Sequence, residues 1–266
     1  MNGINFINQI NRTNTQYNNA VRNISTGSRL SSASFGASDY SISIRTESNI
    51  GTKIQAKNNA QTINAMISTA AGGIESTVSA LSSLREQLLG MSNGTNHNSD
   101  ISAISDSVHQ TLQTIDENSK IQYNGMNILD GSRSIAMQSD NGYQNIEMPD
   151  ISLHGLGLVG EDGESTLNLT SQSGINNALD VVDNSLDVAL GHAATIGAMH
   201  NSLDLSISNQ DAVIENEMYA NSINGDADIA EEITKLKSAE TQNQLAMYAA
   251  TMYNHNRYDV LKLLGQ

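Results

Sequence analysis

The residues that come nearest to metal chemistry are two histidines eight positions apart, His192 and His200, and the alternating acids of NGDADIAEE at 224–232. The two histidines can share a helix face. With no carboxylate read at ligand spacing beside them, a surface or packing role outweighs a zinc site. In the acidic stretch Ile229 stands where a calcium loop requires Gly, so Asp228 and Glu231 read as an Asp-x-x-Glu capping box at a helix start. There is no Cys, which removes thiol nucleophiles, iron–sulfur clusters and Cys-ligated zinc. No His-Glu-x-x-His occurs, and the Ser-rich segments lack a His and an Asp in any recognisable catalytic arrangement. The chain reads as a non-enzyme without cofactor or metal. Asn93-Gly94-Thr95 fits the N-glycosylation pattern, although the stretch around it has a mechanical explanation.

That explanation comes from the elements on either side. In SLREQLLGMSNGTNHNSD (83–100) a helical pattern stops at Met91 and small polar residues follow. Upstream, Ile63, Ile67, Ala70, Ile74, Val78, Leu81, Leu84 and Leu88 recur at helical spacing in a stripe narrow enough for a coiled-coil seam. Downstream, Ser99 or Asp100 can cap a second helix with the stripe Ile101, Ile104, Val108, Leu112 and Ile115. Two long helices joined by a short polar link lie antiparallel, so the link is a turn, with Asn93 and Gly94 closing the first helix.

A third helix carries Ile175, Leu179, Val182, Leu186, Leu190, Ala193 and Ile196 and continues toward Met218. Before it, short alternating runs flank Asn141-Gly142, a two-residue hairpin signal, and Gly155, Gly157, Gly160 and Gly163 mark loops. Both ends have thin apolar stripes that cannot fold alone. Residues 1–35 and 226–266 are therefore expected to be largely disordered until a partner covers them.

Composition agrees with thin helical layers. Aromatic residues are 4% of the 266, Trp is absent and Pro149 is the single proline. No apolar run is long enough to span a bilayer, and the first twenty residues lack the pattern of a cleaved signal. The net charge of −15 is uneven: residues 1–60 hold six Lys/Arg against Asp39 and Glu47, while the middle has only Arg85, Lys120 and Arg133 as cations. Such a middle repels phosphate backbones and anionic lipid, so neither nucleic acid nor membrane is an expected partner. The fold class expected is mainly α: an elongated antiparallel helical bundle or coiled coil with a small β-hairpin element.

Several short stretches, in order along nearly the whole chain, resemble the bacterial flagellins. TGSRLSSA (26–33) is similar to their Ser-Gly-x-Arg-x-x-x-Ala signature, and TAAGGI (69–74) stands where they have Thr-Ala-x-Gly. LRE (84–86), NGTN (93–96) and TIDENSKIQYNGMNILDG (114–131) match later signatures, as do MPDISLHGLGL, IGAMHNSLDLSI, DADIAEE and the final VLKLLGQ. Departures occur at Ser34, Phe35 and Gly36, where a charged patch is usual, and at Ile223 and Gly225, where Arg is frequent.

The resemblance implies a short subunit of the flagellar filament, a helical homopolymer outside the cell that serves motility, exported without signal cleavage. It implies that 1–40 and 222–266 form the inner-tube domain and that 41–221 form the outer tube, with a β-hairpin region at 131–174. The residues expected to make subunit contacts are Ile4, Ile7, Ile10, Ile24, Leu30, Val260, Leu261, Leu263 and Leu264. Export chaperone, cap and hook-junction proteins are the implied partners. A hook–filament junction protein, or a secreted flagellin-like adhesin or ligand, is the alternative. At the surface by which flagellins engage Toll-like receptor 5, Ser83 replaces an Arg before the Arg85-Glu86 pair, Gln87 replaces a Leu after it, and Thr114 replaces a Glu. Losing a central interface Arg costs about 2 kcal/mol or more, so weak or absent recognition is implied.

Overall fold

The longest element grows from the longest periodicity. α2 (Ala37–Ser92) carries a buried seam of Ala60, Ile63, Ile67, Ala70, Ile74, Thr77, Leu81, Leu84, Leu88 and Met91, which alternates steps of three and four without a break, as knobs-into-holes packing requires. The computed structural model describes residues 3–92, 98–139, 142–160 and 162–265. The turn expected at Asn93-Gly94, with its glycosylation pattern, lies outside them. The chain forms two compact units, Lys53–Ala212 and Met1–Thr52 with Val213–Gln266, each described by itself.

In Lys53–Ala212 the seam of α2 meets two other helices, α3 (Asn98–Ser119) through Val108, Leu112 and Ile115, and α4 (Gln172–Gly225) through Ile175, Val182, Ile196 and Leu203. Three expectations need correction. Thr77, not Val78, occupies the seam. Its buried hydroxyl donates to Gly73 O (3.0 Å) and accepts from Asn118 Nδ2 (3.2 Å), so its polar atom is satisfied inside the core. On α4, Leu190 is exposed, and the small residues Ala178, Ser185 and Ala189 are buried among the larger apolar ones. The loop at 148–158 packs close there, and Ser185 Oγ, shared between Leu156 O (2.7 Å) and Val181 O (2.8 Å), ties it down. Finally, α3 already begins at Asn98, which puts Ser99 and Asp100 inside its first turn.

A row of polar pairs links α2 to α4: Ser92 with Asn176 (3.4 Å), Arg85 with Asp183 (2.6 Å), Asn64 with Asp204 (2.7 Å) and Lys57 with Asp211 (2.7 Å). Each step of one or three heptads along α2 is matched by an equal step back along α4, the signature of one fixed antiparallel register. Exposed pairs contribute at most about 1 kcal/mol each, so the row specifies register more than it adds stability.

Gly73 is where α2 is approached most closely. A Cβ there would lie 2.5 Å from Leu129 Cδ1 and 2.8 Å from Ile121 Cδ1, whereas one on neighbouring Gly72 would meet nothing within 4 Å. Gly72→Ala is expected to stabilise the fold by up to about 1 kcal/mol through helix propensity, and Gly73→Val to cost about 1–3 kcal/mol through overpacking. Opposite shifts of the urea midpoint would check the pair.

Two small hairpins complete this unit. β1 (Gln122–Tyr123) and β2 (Met126–Asn127) pair around Asn124 and Gly125, both at positive φ (51° and 75°), the backbone of a type I′ turn. β3 (Ser134–Ser139) pairs with β4 (Gly142–Glu147), and Ile135 faces Ile146 across the ladder. Gly142 lies opposite Ser139 within this ladder, so it belongs to the strand; Asn141, the other half of the expected turn, lies outside the described residues.

In the other unit, α1 (Gly3–Thr26) packs along α5 (Ile229–Leu264) through Thr13, Ala20, Ala239 and Ala246, all buried, with the Phe6 and Tyr253 rings 5.8 Å apart. Small residues let the two helices approach closely. Each covers part of the stripe that, from the sequence, was expected to leave both ends disordered in a single chain. The links at the ends of these helices also meet. Arg29 N donates to Gly225 O (2.9 Å), Ala227 N donates to Gly27 O (2.9 Å), and the Arg29 guanidinium donates twice to Asn224 O (3.1 and 2.8 Å). Asp228 caps α5, accepting from Ala230 N and Glu231 N, as its spacing suggests. The Glu231 carboxylate turns to Lys235 (3.0 Å).

Candidate functional site

The distinguishing surface of this protein is apolar and lies on the terminal helices. α5 leaves Ile229, Ile233, Leu245, Met247, Tyr248, Met252, Tyr258, Val260, Leu261, Leu263 and Leu264 exposed, and α1 leaves Ile7, Tyr17 and Val21 exposed. In an amphipathic helix that is finished as a monomer, residues of this kind face the core. Here the seam between α1 and α5 is taken by alanines, so the large side chains point away from it. Large apolar side chains left exposed in this number mark an interaction site.

The residues singled out from the sequence fall into three groups. Ile7, Val260, Leu261, Leu263 and Leu264 are exposed, Leu263 and Leu264 each at 78%. Ile10 and Ile24 are half-buried, and Leu30 is buried within its own chain. The Ile4 side chain lies outside the described residues. Leu245, Met247, Tyr248 and Met252 of α5 are exposed as well, outside the stretches that carry the resemblance.

Beside this surface runs a polar groove of about 550 Å³ between α1 and α5, lined by Gln16, Asn19, Asn23, Glu232, Lys235 and others. Glu232 is buried, and its carboxylate accepts from Lys235 Nζ (2.9 Å). That bond, with the one Lys235 donates to Glu231, raises the Lys235 ammonium above its ordinary pKa and keeps it charged.

On the long helices, Ser83 and Glu86 are exposed and Thr114 is exposed on α3, its hydroxyl donating to Gln110 O. Gln87 donates to Thr111 Oγ1 (3.3 Å). Arg85 is held by Asp183, whose hydrogen bond and charge raise the guanidinium pKa further. His200 does have a carboxylate neighbour, Asp204, at 3.3 Å. It is a helix-face pair, and no group of three or more His, Cys, Asp or Glu among the described residues is placed to hold a metal ion. Among the described residues no helix is long and apolar enough to cross a membrane.

Comparison with known proteins agrees with this architecture. The model of the bacterial flagellin N-terminal helical region matches residues 1–134, and that of the bacterial flagellin C-terminal helical region matches 179–264. A flagellin of Halalkalibacterium halodurans is 28% identical over 92% of this chain and 90% of its own length. Among solved structures, Bacillus cereus flagellin superposes with a TM-score of 0.51 at 21% identity, over 57% of this chain and 88% of the other. A protein of Vibrio parahaemolyticus described as flagellar hook-associated gives 0.58 at 18% identity, over 73% and 99%. These two likenesses concern the fold. With both terminal regions matched across most of its length, the chain belongs to the bacterial flagellin family, the structural subunits of the flagellar filament.

Proposed function

We propose that this subunit polymerises by burying the exposed faces of α1 and α5 between copies, with Ile4, Ile7, Ile10, Ile24, Val260, Leu261, Leu263 and Leu264 among the contacts. The observation that carries this is the run of large apolar side chains on α5 that its own chain leaves uncovered. Leu30, already buried at home, acts by holding the link after α1 in place. Residues 1–40 with 222–266 then form the inner layer of the tube and 41–221 the outer one. Purified protein under polymerising conditions should form long helical tubes in electron micrographs; persistent monomers would contradict the reading.

Membership of the family supports three further partners: an export chaperone that shields α5 before assembly, a cap, and hook-junction proteins. It also supports a prediction about immune recognition. Ser83, Gln87 and Thr114 remove a cation, an apolar contact and an acid from the receptor-facing surface, and Arg85 is engaged by Asp183. Monomer is expected to stimulate Toll-like receptor 5 reporter cells at least about tenfold less than a receptor-active flagellin at matched concentration. Ser83→Arg combined with Thr114→Glu should recover part of the difference. An equal response from the unmodified protein would sink the idea.

A further inference from the structure

The unit Lys53–Ala212 holds an open cavity of about 560 Å³. Its floor is apolar, formed by Met148, Ile196 and Met199, and its rim carries Asp130, Glu147 and Asp150. Two of these acids are occupied. Asp130 accepts from Ser132 Oγ (2.6 Å), Ser132 N (3.1 Å) and Asn127 Nδ2 (3.1 Å), and Asp150 accepts from Ser152 N (2.9 Å). The Ser132 hydroxyl, then its amide, hold the Asp130 carboxyl below its ordinary pKa, so the rim stays negative. Glu147 is exposed, and its carboxylate has no hydrogen-bond or ion-pair partner among the described residues. The unit around it carries five Lys/Arg against eighteen Asp/Glu, so copies meeting through it repel unless a cation is brought in from elsewhere.

Such a cation stands at the start of α2, in the other unit. Arg45 is exposed without a partner among the described residues, and Ile42 (48%) and Ile44 (47%) beside it are exposed too. Ile42 and Arg45 are three residues apart and share one helix face. An apolar residue with a guanidinium beside it is the complement of an apolar floor with a free carboxylate on its rim, and the planar guanidinium suits a carboxylate better than an ammonium does.

We propose that this cavity receives the start of α2 from a second copy of the chain, with Arg45 of one copy paired to Glu147 of the next and Ile42 resting on Met148 and Met199. The two patches differ and lie on different units of the chain. Such a head-to-tail contact is heterologous, and with a rotation per copy that does not close into a ring it builds an open helical array, as a filament needs. The inference rests on the self-assembly reading above and adds to it a contact outside the terminal helices.

The test is seeded elongation, followed by light scattering and electron microscopy. Arg45→Glu and Glu147→Arg, each checked for an unchanged unfolding midpoint, should slow elongation at least tenfold. The double variant Arg45→Glu/Glu147→Arg should return to within about threefold of the unmodified rate. Arg45→Gln and Glu147→Gln should show a smaller loss in the same direction. Single variants that elongate normally on a protein that forms filaments overturn this contact and leave the self-assembly reading standing. So does a double variant no better than the worse single, or rescue by Glu147→Arg of Lys262→Glu, a change at an exposed cation of α5, instead of Arg45→Glu. A protein that never elongates its seeds overturns both.

Discussion

Deleting residues 260–266 is expected to abolish filament growth while leaving the unit Lys53–Ala212 folded. The four large apolar residues removed, Val260, Leu261, Leu263 and Leu264, are 53–78% exposed in the single chain. They contribute little to its own fold, so the deletion has little there to break. In a polymer their burial is worth about 1.5–3 kcal/mol each, an upper range because some of that area is already covered. Losing even about 4 kcal/mol per subunit contact weakens association roughly a thousandfold, enough to lift the critical concentration out of reach. Circular dichroism with sedimentation would show a helical, soluble, non-sedimenting protein. Long filaments from the truncated chain would contradict the account.

The second large effect is inside the core, where two adjacent residues are expected to behave differently. Thr77→Asp places a carboxylate at a position with no exposure, facing partners suited to a hydroxyl, and should cost about 3 kcal/mol or more at neutral pH. Val78→Asp, half-buried beside the seam, should cost about 1 kcal/mol. The sign of the pH dependence separates burial from a merely local disturbance. A carboxyl buried without a cation has its folded pKa raised above the unfolded value, so the Thr77→Asp deficit shrinks as pH falls and the folded state takes up the proton. Equal losses at 77 and 78, by urea unfolding, would place the seam where apolar spacing alone puts it.

Residues 77 and 78 also show how far the sequence could be read. Period and length announced the helices, and nine of the ten seam positions on α2 are apolar. The tenth is a threonine whose hydroxyl finds Gly73 O and Asn118, and no pattern of apolar residues reveals that partnership. On α4 the same logic favoured Leu190 over Ala178, Ser185 and Ala189, because a helix face that must admit a close loop wants small residues, and the loop's approach is a tertiary fact. A turn at Asn124-Gly125, which the sequence does not single out, has the positive φ values of type I′. Its strands are two residues long, too short for alternation to show. The start of α2 at Ala37 was hidden by a Ser-rich composition that favours caps and turns unless packing overrides it. The terminal helices were legible as thin stripes needing cover. Their small-residue seam, which turns the large side chains of α5 outward, was not legible without the position of α1.

The central claim is that the exposed face of α5 is buried when copies assemble. Hydrogen exchange measured on monomer and on sedimented polymer tests it most directly. Amides of α5 from Leu245 to Leu264 should exchange readily in the monomer and slow by at least a hundredfold in the polymer, while those of α2 from Ile63 to Met91 stay protected in both. Polymer in which α5 exchanges as fast as in the monomer would contradict the account.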